Sequence, residues 1–129
     1  MKYKTILLVD DDPDDQLIFI DILEEIAMDT ECITAKNGLE ALECLNNMAS
    51  MPSLIFLDLN MPLMNGFECL NHIKTDERLK KIPIIIFTTS DNPSDKRNCR
   101  ESGAAMFFTK TANFKLLKTK LLEILKTDF

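Results

Sequence analysis

The chain has 129 residues, of which 46% are hydrophobic and 28% charged, the makeup of one packed globular domain spanning residues 1–129. A net charge of -6 speaks against nucleic acid as a ligand, and no apolar run reaches the length of a membrane span. Cys32, Cys44, Cys69 and Cys99 form no CxxC pair and share the chain with a single histidine, His72, so zinc and dithiol redox sites lack their ligand spacing.

Strand and helix signals alternate from the start. Met1-Lys2-Tyr3-Lys4 leads directly into an apolar run, with no signal-peptide core, and the cytoplasm is the expected location. The first strand, about Lys4 to Val9, runs into Asp10-Asp11-Asp12. Asp12 then serves as N-cap and Pro13 as the first residue of a helix whose Phe19, Ile22, Leu23 and Ile26 form one buried stripe. A short strand near Cys32 to Ala35 precedes Asn37-Gly38, a turn or cap signal, and a helix carrying Leu42, Leu45 and Ala49. Met51-Pro52-Ser53 ends it. The third strand, Leu54-Ile55-Phe56-Leu57, delivers Asp58, and Gly66 opens a helix with Phe67, Leu70 and Ile73 inward. Pro83 introduces the fourth strand, which ends in Thr88-Thr89. Asn92-Pro93 starts a fourth helix in which Cys99 is the only clearly apolar side chain, so few contacts hold it down. The fifth strand, about Ala105 to Thr109, ends at Lys110, and a last helix repeats Phe114, Leu117, Leu121 and Ile124.

Five βα units with short connections predict an α/β fold, a parallel sheet covered by helices on both faces. The pattern does not set the strand order. In such sheets ligands bind at the carboxyl edge of the strands, and here three apolar runs hand that edge Asp10-Asp11, Asp58 and Thr88. Clustered carboxylates repel unless a cation neutralises them, and an all-oxygen set suits Mg²⁺. A carboxylate can also act as nucleophile towards phosphorus. Phosphoryl transfer then needs positioning and neutralisation of charge, for which Asp11, Lys110 and Thr88 are at hand.

Other readings of the acidic run fail. An EF-hand loop from Asp10 would have Asp15 where glycine is needed and would run through the helical Leu17-Ile18-Phe19-Ile20. A flavin phosphate loop would be glycine- or hydroxyl-rich, whereas this one is acidic. Asp14 and Asp15 fit a simpler role, favouring a helix N-terminus.

Val9-Asp10-Asp11, Leu57-Asp58-Leu59-Asn60-Met61-Pro62 with Gly66, Phe87-Thr88 and Phe108-Thr109-Lys110, in this order, resemble the receiver domains of two-component response regulators. The resemblance covers the whole chain and implies a flavodoxin-like, three-layer doubly wound sheet in strand order 2-1-3-4-5. It implies Asp58 as phosphoacceptor and Mg²⁺ held by Asp11, Asp58 and the main-chain carbonyl of Asn60, with Asp10 on a metal-bound water. It further implies Thr88 as switch hydroxyl, Phe107 as the rotating aromatic, and Lys110 paired with a phosphoryl oxygen. The partners it implies are a sensor histidine kinase or histidine phosphotransfer protein. A downstream protein or a second copy would bind the face of the fourth helix, fifth strand and fifth helix.

Three positions depart from the family pattern. Thr111 replaces the proline that follows the lysine, and since a cis bond before a non-proline residue costs roughly 2.5–4 kcal/mol, a trans bond is expected. Phe107 stands where tyrosine is more familiar, and Asn65 where aspartate is frequent. Leu8-Val9-Asp10-Asp11-Asp12-Pro13 with Thr88-Thr89-Ser90 looks most like stand-alone receivers coupled to phytochrome-type kinases. The charge is also uneven: 14 acidic against 3 basic residues through Ile73, then 12 basic against 7 acidic, which suits an acidic partner for the C-terminal half. Two rival readings are a receiver-like adaptor that binds its partner constitutively and an aspartate-nucleophile phosphatase. The second lacks an acid two residues after Asp58, where Asn60 stands.

Overall fold

A computed structural model describes residues 3–129; Met1 and Lys2, the start of the stretch read above as lacking a signal core, lie outside it. The elements are β1 (Thr5–Val9), α1 (Pro13–Ile26), β2 (Glu31–Ala35), α2 (Gly38–Asn47), β3 (Leu54–Leu57), α3 (Gly66–Thr75), β4 (Ile84–Thr88), α4 (Pro93–Glu101), β5 (Met106–Thr109) and α5 (Phe114–Leu125). All strand pairs are parallel, in the order β2-β1-β3-β4-β5. The fold is therefore the doubly wound, flavodoxin-like sheet that the resemblance implies.

Alternation of side chains along the strands splits the core in two. Leu7, Val9, Ile55, Leu57, Ile84 and Ile86 face Ala41 and Leu45 of α2, Leu70 and Ile73 of α3, and Cys99 of α4. Ile6, Leu8, Phe56, Ile85 and Phe87 face Phe19, Ile22 and Leu23 of α1 and Leu117, Leu121 and Ile124 of α5. Burial on both faces explains why β3 and β4 read as continuous apolar runs rather than alternating ones. Phe19 meets Phe56 edge-on at 4.9 Å, anchoring α1 to the middle of the sheet.

Side-chain caps fix where the helices begin. Asp12 accepts from the Asp14 and Asp15 N–H groups, Asn37 from Glu40 and Asn113 from Leu116. Asn65 and Glu68 form a reciprocal capping box. Two stripes differ from expectation. Helix α2 ends at Asn47 because Met48 is extended, so Ala49 is exposed outside the helix and the buried face is Gly38, Ala41 and Leu45. Phe114, expected inward, is the first residue of α5 and stands 50% exposed, since it lines an open cleft with Ile18, Phe87 and Leu117 rather than filling the core. Ile26 and Phe67 are half-buried at the margins of their stripes.

Candidate metal and phosphoryl site

The hydrogen-bond ladder carries the backbone one residue past each strand and delivers the functional groups to the rim. The Asp10 N–H donates to Ala35, that of Asp58 to Val9, and that of Lys110 to Thr88. Asp10, Asp58 and Thr88 are thereby held as the buried polar side chains of the domain, among the described residues. Asp11, one residue further out, is exposed.

The carboxylates of Asp10, Asp11 and Asp58 each offer an oxygen within 4.8 Å of the others. Asp58 Oδ1 accepts from the Leu59 N–H at 2.7 Å, which sets the rotation of the carboxylate. Its Oδ2 accepts from the Lys110 ammonium at 3.0 Å. Lys110 also donates to Asp10 Oδ2 at 2.7 Å and to Asp15 Oδ2 at 2.9 Å, and lies 5.3 Å from the Phe87 ring centroid. Asp10 is fastened from two more sides: its Oδ1 accepts from the Asp12 N–H, and its carbonyl accepts from the Gln16 amide at 2.6 Å.

Burial pushes the Asp10 carboxyl above its usual range, opposed by Lys110 and the Asp12 N–H. For Lys110, burial alone would lower the ammonium, but its bonds to Asp10 and Asp15 and the charges of Asp58 and Asp10 outweigh this and raise it. The lysine therefore stays charged throughout the physiological range. Four carboxylates against one ammonium leave the cluster strongly negative. An all-oxygen donor set, open to solvent at Asp11, suits a hard divalent cation. Asn60 lines a cleft of about 350 Å³ together with Asp11, Pro62 and Asn65.

The β3–α3 loop is locked against this site. The Gly66 N–H donates to the Leu59 carbonyl at 2.9 Å, and a side chain at Gly66 would collide with the Asp58 backbone. Leu63 sits in the left-handed region at φ 66°, and Met64 O accepts from the Gly38 N–H, tying the loop to α2.

Every rim residue expected from sequence is at the rim: Asp10, Asp11, Asp58, Asn60, Thr88 and Lys110. Lys110 points inward across a trans Lys110–Thr111 bond. Thr88 Oγ1 accepts from the Ser90 N–H at 3.4 Å, and Ser90 in turn donates to Asp95 of α4 at 2.7 Å. Phe107 is half-buried on the outer strand, with the Lys96 ammonium 5.9 Å from its ring centroid. His72 is exposed on α3, away from the rim. Sequence reasoning missed Asp15, Gln16 and Ser90. A signal for Asp15 existed: it is the third residue of α1, a position that curls back over the N-cap and so towards Asp10.

The response regulator receiver domain family matches residues 6–122. The chain belongs to that family. It is 36% identical over 117 residues to the response regulator Rcp1 of Synechocystis sp., covering 87% of this chain and 80% of Rcp1. Among solved structures, the phosphorylated cyanobacterial phytochrome response regulator RcpA superposes with a TM-score of 0.87 at 34% identity, covering 95% of this chain and 91% of RcpA. The Mn²⁺-bound form of Rcp1 superposes equally well, at 33% identity over 98% of this chain and 97% of that one. As a receiver domain, the chain works in two-component signalling, with an acidic pocket suited to a divalent metal and to phosphorylation. Histidine kinases and downstream targets are the partner classes of such domains. Among the described residues no helix is long and apolar enough to cross a membrane.

Proposed function

We propose that the 129-residue chain acts as one receiver unit in the cytoplasm, taking a phosphoryl group from a histidine kinase or histidine phosphotransfer protein onto Asp58. One observation carries this reading: Asp58 ends a fully buried strand with Oδ1 pinned by a backbone N–H and Oδ2 on a lysine, beside two further carboxylates. Asp11, Asp58 and the Asn60 carbonyl would hold Mg²⁺, with Asp10 fixing a water on it; when bound, the ion neutralises charge on the phosphoryl oxygens. The phosphorylated state of RcpA and the metal-bound state of Rcp1 are precedents on the same fold.

The residues of the chain do the rest. Asp58 Oδ2 attacks phosphorus, and Leu59 N–H keeps the carboxylate from turning away. Lys110 follows the charge from Asp58 to a phosphoryl oxygen, which assists both formation and loss of the acyl phosphate. Thr88 turns its hydroxyl towards the phosphoryl group and gives up the Ser90 N–H, loosening the Ser90–Asp95 tie to α4. Phe107 follows inward, and the α4–β5–α5 face changes what it binds, whether a downstream protein or a second copy. Lys115, Lys118, Lys120 and Lys126 give that half its basic character.

Intact mass after incubation with acetyl phosphate and Mg²⁺ tests the assignment. The wild type should gain one base-labile phosphoryl group and Asp58→Asn none; equal labelling of the two would remove Asp58 from its role.

A further inference from the structure

Asp15 occupies a place that the reaction above leaves unexplained. The Lys110 ammonium has three N–H donors, and three carboxylates take them: Asp10 at 2.7 Å, Asp15 at 2.9 Å and Asp58 at 3.0 Å. These acceptors are not equivalent. Asp10 and Asp58 belong to the cluster that also includes Asp11, so a cation bound there competes with the lysine for those two carboxylates. Asp15 lies outside that cluster and serves Lys110 without such competition.

We propose that Asp15 is a positioning residue for Lys110, the arm that keeps the ammonium aimed while its bond to Asp58 is exchanged for one to the phosphoryl group. The role rests on Asp58 being the phosphoacceptor, as argued above. In the transfer, Asp58 Oδ2 forms a bond to phosphorus. With acetyl phosphate as donor, the bond from phosphorus to the bridging oxygen breaks, and acetate leaves with the electron pair; no proton moves. The Asp58 oxygen loses its negative charge on forming the acyl phosphate and becomes a poor acceptor, so one arm of the tripod must be handed to a phosphoryl oxygen. Two arms then define where the third points. Asp10 supplies one from a side chain 1% exposed, and Asp15 the other from a side chain 35% exposed on the first turn of α1.

That turn is built to hold it. Pro13 stands at the first helical position, and the Asp12 carboxylate accepts from the Asp15 N–H at 3.3 Å. The Gln16 amide next along donates to the Asp10 carbonyl, joining the same turn to the end of β1. Without Asp15, the ammonium keeps one fixed arm and swings. A lysine has four rotatable carbons, so loss of one charged acceptor frees it more than it would a guanidinium fork.

The test compares the initial rate of labelling by acetyl phosphate at saturating Mg²⁺, followed by intact mass, in Asp15→Asn, Asp15→Glu and Asp14→Asn. Asp14 is one residue along the same exposed turn and touches no group of the site. Asp15→Asn should slow labelling about tenfold, equivalent to weakening the transition state by about 1.4 kcal/mol. Asp15→Glu, which keeps the charge and the reach, should recover most of the rate, and Asp14→Asn should match the wild type. The ¹H–¹⁵N signal of the Lys110 ammonium, visible when its protons exchange slowly, should broaden in Asp15→Asn and persist in Asp14→Asn. A purely structural role for Asp15 would not move that signal selectively. Wild-type rates in Asp15→Asn, or equal slowing by Asp14→Asn, would overturn the proposal while leaving Asp58 in place. A wild type that takes no label would overturn both.

Discussion

Replacing Gly66 by alanine would put a methyl carbon 2.1 Å from the Asp58 carbonyl oxygen, 2.7 Å from the Leu59 Cα and 2.9 Å from the Asp58 carbonyl carbon. All three are backbone atoms, so no side chain can rotate out of the way. To reach ordinary contact distance, the start of α3 must retreat by about 1 Å from the end of β3, the scale of backbone shift that over-packing forces. The retreat breaks the bond from the Gly66 N–H to the Leu59 carbonyl. Over-packing costs about 1–3 kcal/mol and the lost bond about 1, for a total of about 2–4 kcal/mol. The displaced backbone carries the Leu59 N–H that holds Asp58 Oδ1, so metal affinity and labelling should fall together with stability. Urea unfolding gives the first quantity and titration calorimetry with Mg²⁺ the second. A Gly66→Ala protein within about 0.5 kcal/mol of the wild type, the ordinary scatter of surface substitutions, would refute the steric argument.

Asp11→Ala, which removes a proposed direct ligand, should weaken Mg²⁺ binding by at least about 10–100-fold, the scale for loss of an outer-shell partner, whereas Asp14→Ala should leave it within about twofold; calorimetry separates the two. Leu63→Gly should stabilise by about 0.5–1 kcal/mol in urea unfolding, because a left-handed leucine costs roughly 1–2 kcal/mol and the looser glycine returns only part of that. The leucine is 79% exposed, so little burial is lost with it. Burial pushes the Cys69 thiol up to about 12 and, with Asp95 adding repulsion, the Cys99 thiol up to about 11, from an ordinary value of 9.0. A thiol raised in the folded state leaves stability whole below about pH 9 and erodes it as pH climbs towards 11 to 12. Each should contribute a loss of about 1 kcal/mol between pH 9 and 10, reaching about 1.4 kcal/mol in all by pH 10, that disappears in the Cys69→Ala/Cys99→Ala protein.

The sheet was legible because each strand is a short apolar run that stops at a functional group: Val9 before Asp10, Leu57 before Asp58, Phe87 before Thr88. Strand order was not legible that way, since an apolar run says how deeply it is buried and nothing about its neighbours; the receiver motifs supplied it. Helix phase was weaker. Of the stripe Leu42, Leu45 and Ala49 expected for α2, Leu45 is buried and Leu42 packs half-buried against the core, while Ala49 falls outside the helix; small residues set the closest contact, Ala41 lying flush against the sheet and Gly38 letting Met64 approach. Asp15 reads as a helix-start acid; its place on the first turn of α1 turns it towards Asp10, but nothing local marks Lys110, 95 residues away, as its partner. Ser90 was hidden for the same reason: its bonds join the ends of β4 and β5 to α4 through a bend that has no periodicity.

Helix α4 buries one thiol, Cys99, and is tethered through Asp95 to Ser90. Substitutions at its other positions lie at the surface, where effects stay within about 0.5 kcal/mol. On the proposed binding face, partner choice and foldability would thus be written in separate residues. This face of the domain can be rewritten for a new target while the sheet and the rim beneath it stay as they are, so one signalling core can diversify its listeners without passing through unfolded intermediates in sequence space.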